Sequence, residues 1–129
     1  MSQANVELVR RAWEAFCRHD NETVFALYDP QVEIHDGFWD RSYRGFDGVR
    51  EYWRDRLAVL DEYTTDIEEW IDAGDAVIAV MHVRARGKQS GVQVESRYWQ
   101  VCNVREGKLW RFWAYATEDE ALKAAGLEE

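Results

Sequence analysis

The sequence has little of several features that mark other classes of protein. Its 129 residues include one proline and two cysteines, Cys17 and Cys102. The two cysteines have no motif spacing, so they favour neither a disulfide framework nor a metal site. We expect buried free thiols, as in a reducing cytoplasm, and no metal or other cofactor. The N-terminus has neither the basic nor the apolar segment of a signal peptide, and no apolar run approaches membrane-spanning length. These absences predict a cytoplasmic protein without a membrane partner.

Positive charge is also scarce. The chain has 16 Lys and Arg against 25 Asp and Glu, a net charge of −9. Such a surface opposes the binding of nucleic-acid phosphates and gives no sign of attraction to anionic lipid. Aromatic residues are abundant, with 7 Trp, 6 Tyr and 5 Phe, and 47% of the residues are hydrophobic. The length is sufficient for one core, so we expect a single domain over residues 1–129.

The first half of the chain has helical patterns. Apolar residues at helical spacing predict an amphipathic helix over residues 5–19. Asp20 or Asn21 is a suitable cap for a second, short helix, which Pro30 is expected to end. A strand follows over Val32–His35, and a third helix begins at Asp47-Gly48 and runs to Leu60.

After Leu60 the patterns are typical of strands joined by short turns. The β-rich runs are Thr64–Asp72, Ala76–Arg86, Val92–Arg105 and Leu109–Ala116. Thr117 and Glu120 then form a capping box for a last short helix. This order predicts an α+β domain with the helices on one face of an antiparallel sheet and a pocket between the two layers.

The run Tyr-Asp-Pro-x-Val-Glu at residues 28–33 and the ending Glu-Ala-Leu-Lys-Ala-Ala-Gly-Leu at 120–127 resemble the SnoaL-like branch of the NTF2-like superfamily. The resemblance covers essentially the whole chain. It implies a cone of three N-terminal helices packed on a curved antiparallel sheet, with a short C-terminal helix. It does not imply one reaction, because the superfamily holds isomerases, cyclases, dehydratases, epoxide hydrolases and non-enzymatic modules.

Asp36 is the first candidate for catalysis. Its position resembles that of the aspartate that ketosteroid isomerases use as general base, which implies proton transfer beside a substrate carbonyl. It ends a strand before an aromatic loop, so we expect a partly desolvated carboxylate that faces the pocket without an arginine or lysine partner. The alternative is that Asp36 and Gly37 only form a turn at the strand end.

Gln100 and His35 complete the catalytic candidates. The isomerases place a protonated aspartate near the position of Gln100, whose amide could donate a hydrogen bond instead. A buried glutamine can equally serve the backbone or a partner subunit. His35 would point away from Asp36 in a regular strand, so it joins the pocket only if the strand bends there; otherwise it is a packing residue.

Two departures from the resemblance oppose the enzyme hypothesis. The isomerases' first-helix tyrosine would fall at Ala12, and the acid that SnoaL cyclases carry on the final strand has no counterpart in residues 112–116. An Asp-Arg-Asp arrangement like that of the epoxide hydrolases is not convincingly present either. A pocket with few donors provides little electrostatic stabilisation of a transition state.

The remaining candidates are binding residues. A substrate pocket is predicted from a set of aromatic and histidine residues, namely Trp13, Phe16, Phe38, Trp53, His82, Tyr98 and Phe112. The alternative for each aromatic residue is ordinary core packing, and His82 could instead lie satisfied on the outer sheet face. Trp99, Trp113 and Tyr115 share the face opposite Gln100, which predicts a homodimer through that face with the helices turned away.

Two hypotheses on function follow. One is a cofactor-independent enzyme of the SnoaL or ketosteroid-isomerase type (an isomerase, cyclase or hydro-lyase) that uses a carboxylate base on an apolar substrate bearing a carbonyl or hydroxyl group. The other is a non-catalytic ligand-binding or dimerisation module with the same pocket. The placement of Asp36 favours the first, and the missing tyrosine and acid favour the second.

Overall fold

The computed structural model describes residues 2–36 and 40–127, with the side chains of all of these except residues 2, 57 and 60–63. In this part of the chain the elements are α1 (Ser2–Cys17), α2 (Asn21–Leu27), β1 (Tyr28–Asp36), β2 (Arg41–Arg44), α3 (Gly45–Val59), β3 (Leu60–Asp72), β4 (Ala76–Gly87), β5 (Gln93–Arg105), β6 (Lys108–Tyr115) and α4 (Glu118–Ala124). The α+β fold class is confirmed. None of the described helices is long and apolar enough to cross a membrane.

The six strands form one sheet in the order β2-β1-β6-β5-β4-β3. Strands β3 to β6 form the predicted antiparallel meander. Strand β1, however, pairs with β6 in parallel, with Ile34 opposite Phe112 and His35 opposite Trp113. The sheet is therefore mixed and not wholly antiparallel. Two parallel neighbouring strands need a long connection, which here consists of β2, α3 and the strands β3 to β5. A pairing between strands so distant in sequence leaves no local pattern from which it could be predicted.

The junction between α2 and β1 differs from the prediction. Asp20 caps α2 as expected, because its carboxylate accepts a hydrogen bond from the Thr23 amide at 3.2 Å. The helix ends at Leu27, however, and Pro30 lies inside β1 instead of ending a helix. The proline is tolerated because the β1–β6 register is irregular between Tyr28 and Glu33, where a ladder hydrogen bond is not required.

Strand β2 was not predicted, and α3 begins two residues earlier than expected. Strand β2 is a four-residue edge strand that pairs with the end of β1. Gly45 makes the turn into α3 with φ of +72°, a left-handed conformation that favours glycine. The predicted third helix also ran one residue too far, since Leu60 begins β3.

Helices lie on both faces of the sheet. Helices α1 to α3 bury the main core, which includes Val9, Val24, Val49, Val77 and Leu109. Thr117 caps α4 by accepting a hydrogen bond from the Glu120 amide at 3.3 Å. Helix α4 packs on the opposite face through Ala121 in a second core with Ala76, Ile78 and Val101. The prediction that this outer face is free of helices is therefore wrong.

Candidate functional site

A cavity lies between α1, α3 and the inner face of the sheet. The cavity has a volume of about 70 Å³ and an open mouth. The helices contribute Val9, Ala12, Trp13, Phe16, Tyr52 and Trp53. The strands contribute Tyr28, Ile34, Ile67, Trp70, Ala79, Met81, Gln100, Cys102 and Phe112. Nearly all of these side chains are aliphatic or aromatic.

Aromatic rings form a continuous wall from α1 to α3. The ring of Phe16 lies 5.8 Å from that of Trp13 and 5.9 Å from that of Trp53, centroid to centroid. On the sheet side, the rings of Tyr28 and Phe112 lie 5.0 Å apart. Trp13, Phe16 and Trp53 are only partly buried because they face the open cavity. Four predicted binding residues thus share one cavity, and their role in binding remains a prediction.

Neutral polar groups lie on the sheet side of this cavity. They include the amide of Gln100, the thiol of Cys102, the hydroxyl of Tyr28 and the indole N–H of Trp70. Burial raises the pKa of Cys102, and burial together with the nearby Cys102 raises the pKa of Tyr28. Both groups therefore stay protonated at neutral pH. No carboxylate, imidazole, ammonium or guanidinium group is among the described residues that line the cavity.

Asp36 does not have the environment expected of a free general base. It is 3% exposed, and its Oδ2 accepts a hydrogen bond at 2.6 Å from Nη1 of Arg56, itself 9% exposed. The expectation that Asp36 has no cationic partner is therefore wrong. A buried carboxylate without a partner would lose its hydration energy, and the guanidinium provides the compensating charge and hydrogen bond.

The Asp36–Arg56 pair lies behind the cavity wall. Asp36 is outside the cavity lining, whereas Ile34, two residues earlier on the same face of β1, is in it. The guanidinium of Arg56 lies over the ring of Tyr52, with 5.1 Å from Cζ to the centroid, and Tyr52 is a lining residue. The ion pair thus supports the α3 side of the wall from outside.

His35 lies on the outer face of the sheet, so it is not part of this cavity. Its ring stacks on that of Trp113 at 4.3 Å with 8° between the planes. Its Nε2 lies 2.7 Å from Oδ1 of Asp40. The strand does not bend at this point, and regular alternation separates His35 from Asp36. The structure therefore does not bring His35 into this cavity beside Asp36, and the stacking on Trp113 agrees with the packing alternative.

Two predicted binding residues among those described, His82 and Tyr98, are also outside the lining. His82 lies on the outer face, where its Nε2 is 2.6 Å from Oε2 of Glu95, as the alternative for this residue foresaw. Tyr98 shares the strand face of Gln100 but lies beyond the cavity lining. Phe38 falls outside the described residues.

Several lining residues were not predicted. Cys102 could have been found by alternation, because it follows Gln100 on the same face of β5. Trp70 could not, because the register of β3 with β4 shifts between Ile67 and Glu69. The shift lets Ile67 and Trp70, an odd number of residues apart, face the same cavity.

The chain was compared with known families and structures. A model described as the SnoaL-like domain matches residues 9–112. None of the curated proteins searched matches the sequence. An NTF2-like protein from Burkholderia thailandensis has a similar structure, with 28% identity, a TM-score of 0.78 and 96% of each chain covered.

Two further solved structures share the fold at lower identity. A protein named TerC, co-crystallised with polyporic acid, is 19% identical with a TM-score of 0.76, and the match covers 95% of this chain and 98% of TerC. A putative SnoaL-like polyketide cyclase from Mesorhizobium loti is 17% identical with a TM-score of 0.70, covering 89% of this chain and 99% of the other.

The ion pair generates a prediction about stability. Arg56→Leu leaves the Asp36 carboxylate buried without its cation, so we expect the free energy of unfolding to fall by about 3 kcal/mol. The measurement is chemical denaturation followed by circular dichroism. Arg54→Leu, an exposed position on the same helix, is the matched control and should change stability by less than about 0.5 kcal/mol. Equal effects of the two substitutions would contradict a structural role for the pair.

Proposed function

The chain belongs to the SnoaL-like family, and we propose that it binds a small, largely apolar molecule with a carbonyl or hydroxyl group in the cavity between its helices and sheet. The observation that carries the proposal is the lining itself, which is apolar except for a few neutral hydrogen-bonding groups. Burial of apolar ligand surface provides about 25 cal/mol per Å² towards binding. The neutral polar groups provide orientation.

Binding is better supported than acid–base catalysis. A general base or acid must reach its substrate and change protonation near neutral pH. Among the described lining residues, those that can ionise are tyrosines and Cys102, and burial keeps Tyr28 and Cys102 protonated. The carboxylate of Asp36, two residues after Ile34 on the same face of β1, already engages Arg56.

Filling the cavity should abolish binding without unfolding the chain. Ala79 is buried and lines the cavity, so Ala79→Leu places a larger side chain where the ligand would lie. We expect at least a tenfold loss of affinity for 2-acetylnaphthalene, an uncharged apolar ketone, measured by isothermal titration calorimetry.

Ala58→Leu makes the same change at an exposed position of α3 and serves as the control. It should bind with the affinity of the unmodified protein, and both variants should keep the same circular dichroism spectrum. Equal affinity of the Ala79→Leu and Ala58→Leu variants would contradict binding in the cavity. If the unmodified protein binds no member of a panel of uncharged apolar ketones, the proposal fails.

A catalytic function through Asp36 is the second candidate. It is favoured by the position of Asp36 on the inner face of β1, close in the chain to the lining residue Ile34. Catalysis would require a substrate group to replace Arg56 at the Asp36 carboxylate. The reaction would then be an isomerisation or cyclisation of a ketone. The enzyme would then use no cofactor.

Asp36→Asn separates the two candidates. The asparagine carbonyl can still accept a hydrogen bond from Arg56, so folding should be largely retained. In a ligand-binding protein, ligand affinity should stay within about twofold, and the unmodified chain should show no conversion of bound ketones by mass spectrometry. If the unmodified chain converts a ketone and Asp36→Asn stops that conversion while binding persists, Asp36 is catalytic.

We further propose that two copies associate through an outer-face patch of Glu33, His35, Arg111 and Trp113. Helix α4 packs near Trp99 and Tyr115, so these two residues are less available than the sequence suggested. Trp113 is partly buried between His35 and Arg111. The patch contains a positive and a negative side chain, since Arg111 lies 3.8 Å from Glu33. A two-fold contact can therefore place Arg111 of one copy against Glu33 of the other.

Trp113→Glu should prevent this association. The added carboxylate would be buried in the contact at a high desolvation cost. We expect a dimer for the unmodified chain and a monomer for the variant in sedimentation equilibrium at micromolar concentration. Val92→Glu, at an exposed position of the β4–β5 hairpin, is the control and should remain a dimer. A monomeric unmodified chain would refute the proposal.

A further inference from the structure

We infer that Tyr28 determines the specificity of the cavity by donating, together with Gln100, a hydrogen bond to the carbonyl oxygen of an uncharged ligand. This inference rests on the proposed ligand-binding function and names the chemical class that the site selects. It adds a residue that the sequence analysis did not assign to the site. The uncharged, largely apolar lining at the same time disfavours carboxylate ligands.

Tyr28 lines the cavity, and its hydroxyl has no hydrogen-bond partner among the described residues. Tyr28 is 8% exposed, and its ring is held against that of Phe112. The positions that hold Tyr28 in the wall therefore leave its hydroxyl to face apolar neighbours. A phenol held in apolar surroundings without an acceptor has lost part of its hydration. A ligand acceptor would restore the missing hydrogen bond.

Gln100 presents a second donor to the same space. The thiol of Cys102 lies 3.7 Å from Oε1 of Gln100, within reach of a weak S–H donor. A thiol that donates to Oε1 holds the amide in the orientation that leaves its NH₂ group for the ligand. No described residue accepts a hydrogen bond from this NH₂ group. Cys102 and Tyr28 both line the cavity with Gln100, and burial together with the nearby thiol raises the pKa of Tyr28.

The Tyr28 hydroxyl and the Gln100 NH₂ group are two hydrogen-bond donors that face the same cavity, and together they favour a ligand carbonyl group. A carbonyl oxygen has two lone pairs and no proton, so it can satisfy Tyr28 and Gln100 together. A carboxylate would bring its charge into a cavity whose described lining has no cation, and would lose hydration energy without an ion pair. An alkyl group of the same shape would leave both donors unpaired.

Three naphthalenes of similar shape test this selection: 2-acetylnaphthalene, 2-ethylnaphthalene and 2-naphthoate. Their affinities for the unmodified chain, the Tyr28→Phe variant and the Tyr115→Phe variant are measured by isothermal titration calorimetry at pH 7. Tyr115→Phe removes the same hydroxyl from the outer face and is the matched control. Thermal unfolding of each variant is recorded in parallel.

We expect the unmodified chain to bind the ketone at least about fivefold more tightly than the ethyl compound, and the carboxylate most weakly. Tyr28→Phe should weaken ketone binding about fivefold and leave ethyl binding within about twofold, as expected for one neutral hydrogen bond. Its melting temperature should not fall, because the hydroxyl makes no hydrogen bond to any described residue of the ligand-free protein. Tyr115→Phe should leave all three affinities unchanged.

The possible failures are distinguishable. If none of the three compounds binds, the proposed function fails and this inference fails with it. If the ethyl compound binds as tightly as the ketone, or Tyr28→Phe weakens both equally, the cavity binds apolar molecules but Tyr28 does not select a carbonyl. Tightest binding of 2-naphthoate would also overturn the inference. A lower melting temperature for Tyr28→Phe would show that the hydroxyl has a structural partner instead.

Discussion

Side-chain alternation along β1 is the constraint on which the arrangement of the site depends. The strand pairs with β2 on one side and with β6 on the other, so its register is fixed from both directions. A shift by one residue would exchange its two faces. In the observed register Ile34 and Asp36 face the helices, and His35 faces outward onto Trp113. Two residues that are adjacent in sequence are thereby separated by the sheet.

The ion pair between Asp36 and Arg56 follows from this register. Because alternation directs Asp36 inward, its carboxylate is removed from water and needs a cation. Arg56 is one helical turn beyond Tyr52, so the same α3 face that supplies the cation also supplies a cavity wall. The pair therefore joins the end of β1 to α3 at the side of the cavity. A carboxylate used in this way stabilises the fold and is poorly placed to accept a proton from a ligand.

Local patterns were sufficient to predict most of the fold. Hydrophobic periodicity indicated α1 and the antiparallel meander, and side-chain caps marked the starts of α2 and α4. Trp13 and Phe16, three residues apart, were predicted on one helix face and do share the cavity. The missed features are long-range: the parallel β1–β6 pairing, the position of α4 on the outer face and the partner of Asp36. Arg56 is twenty residues from Asp36, and no local pattern connects them.

The absence of charge from the described cavity lining affects both ligand affinity and the kind of polar group that a ligand can carry. The described ion pairs lie largely at the surface, as between Arg97 and Glu68, while the described lining carries no charge. In a region of low polarity an ion is excluded, but a neutral hydrogen bond is stronger than in water. Apolar walls therefore do more than attract apolar ligands. The few neutral donors on the sheet then determine which ligand is selected. In so small a space, water competes poorly with a ligand acceptor for these donors.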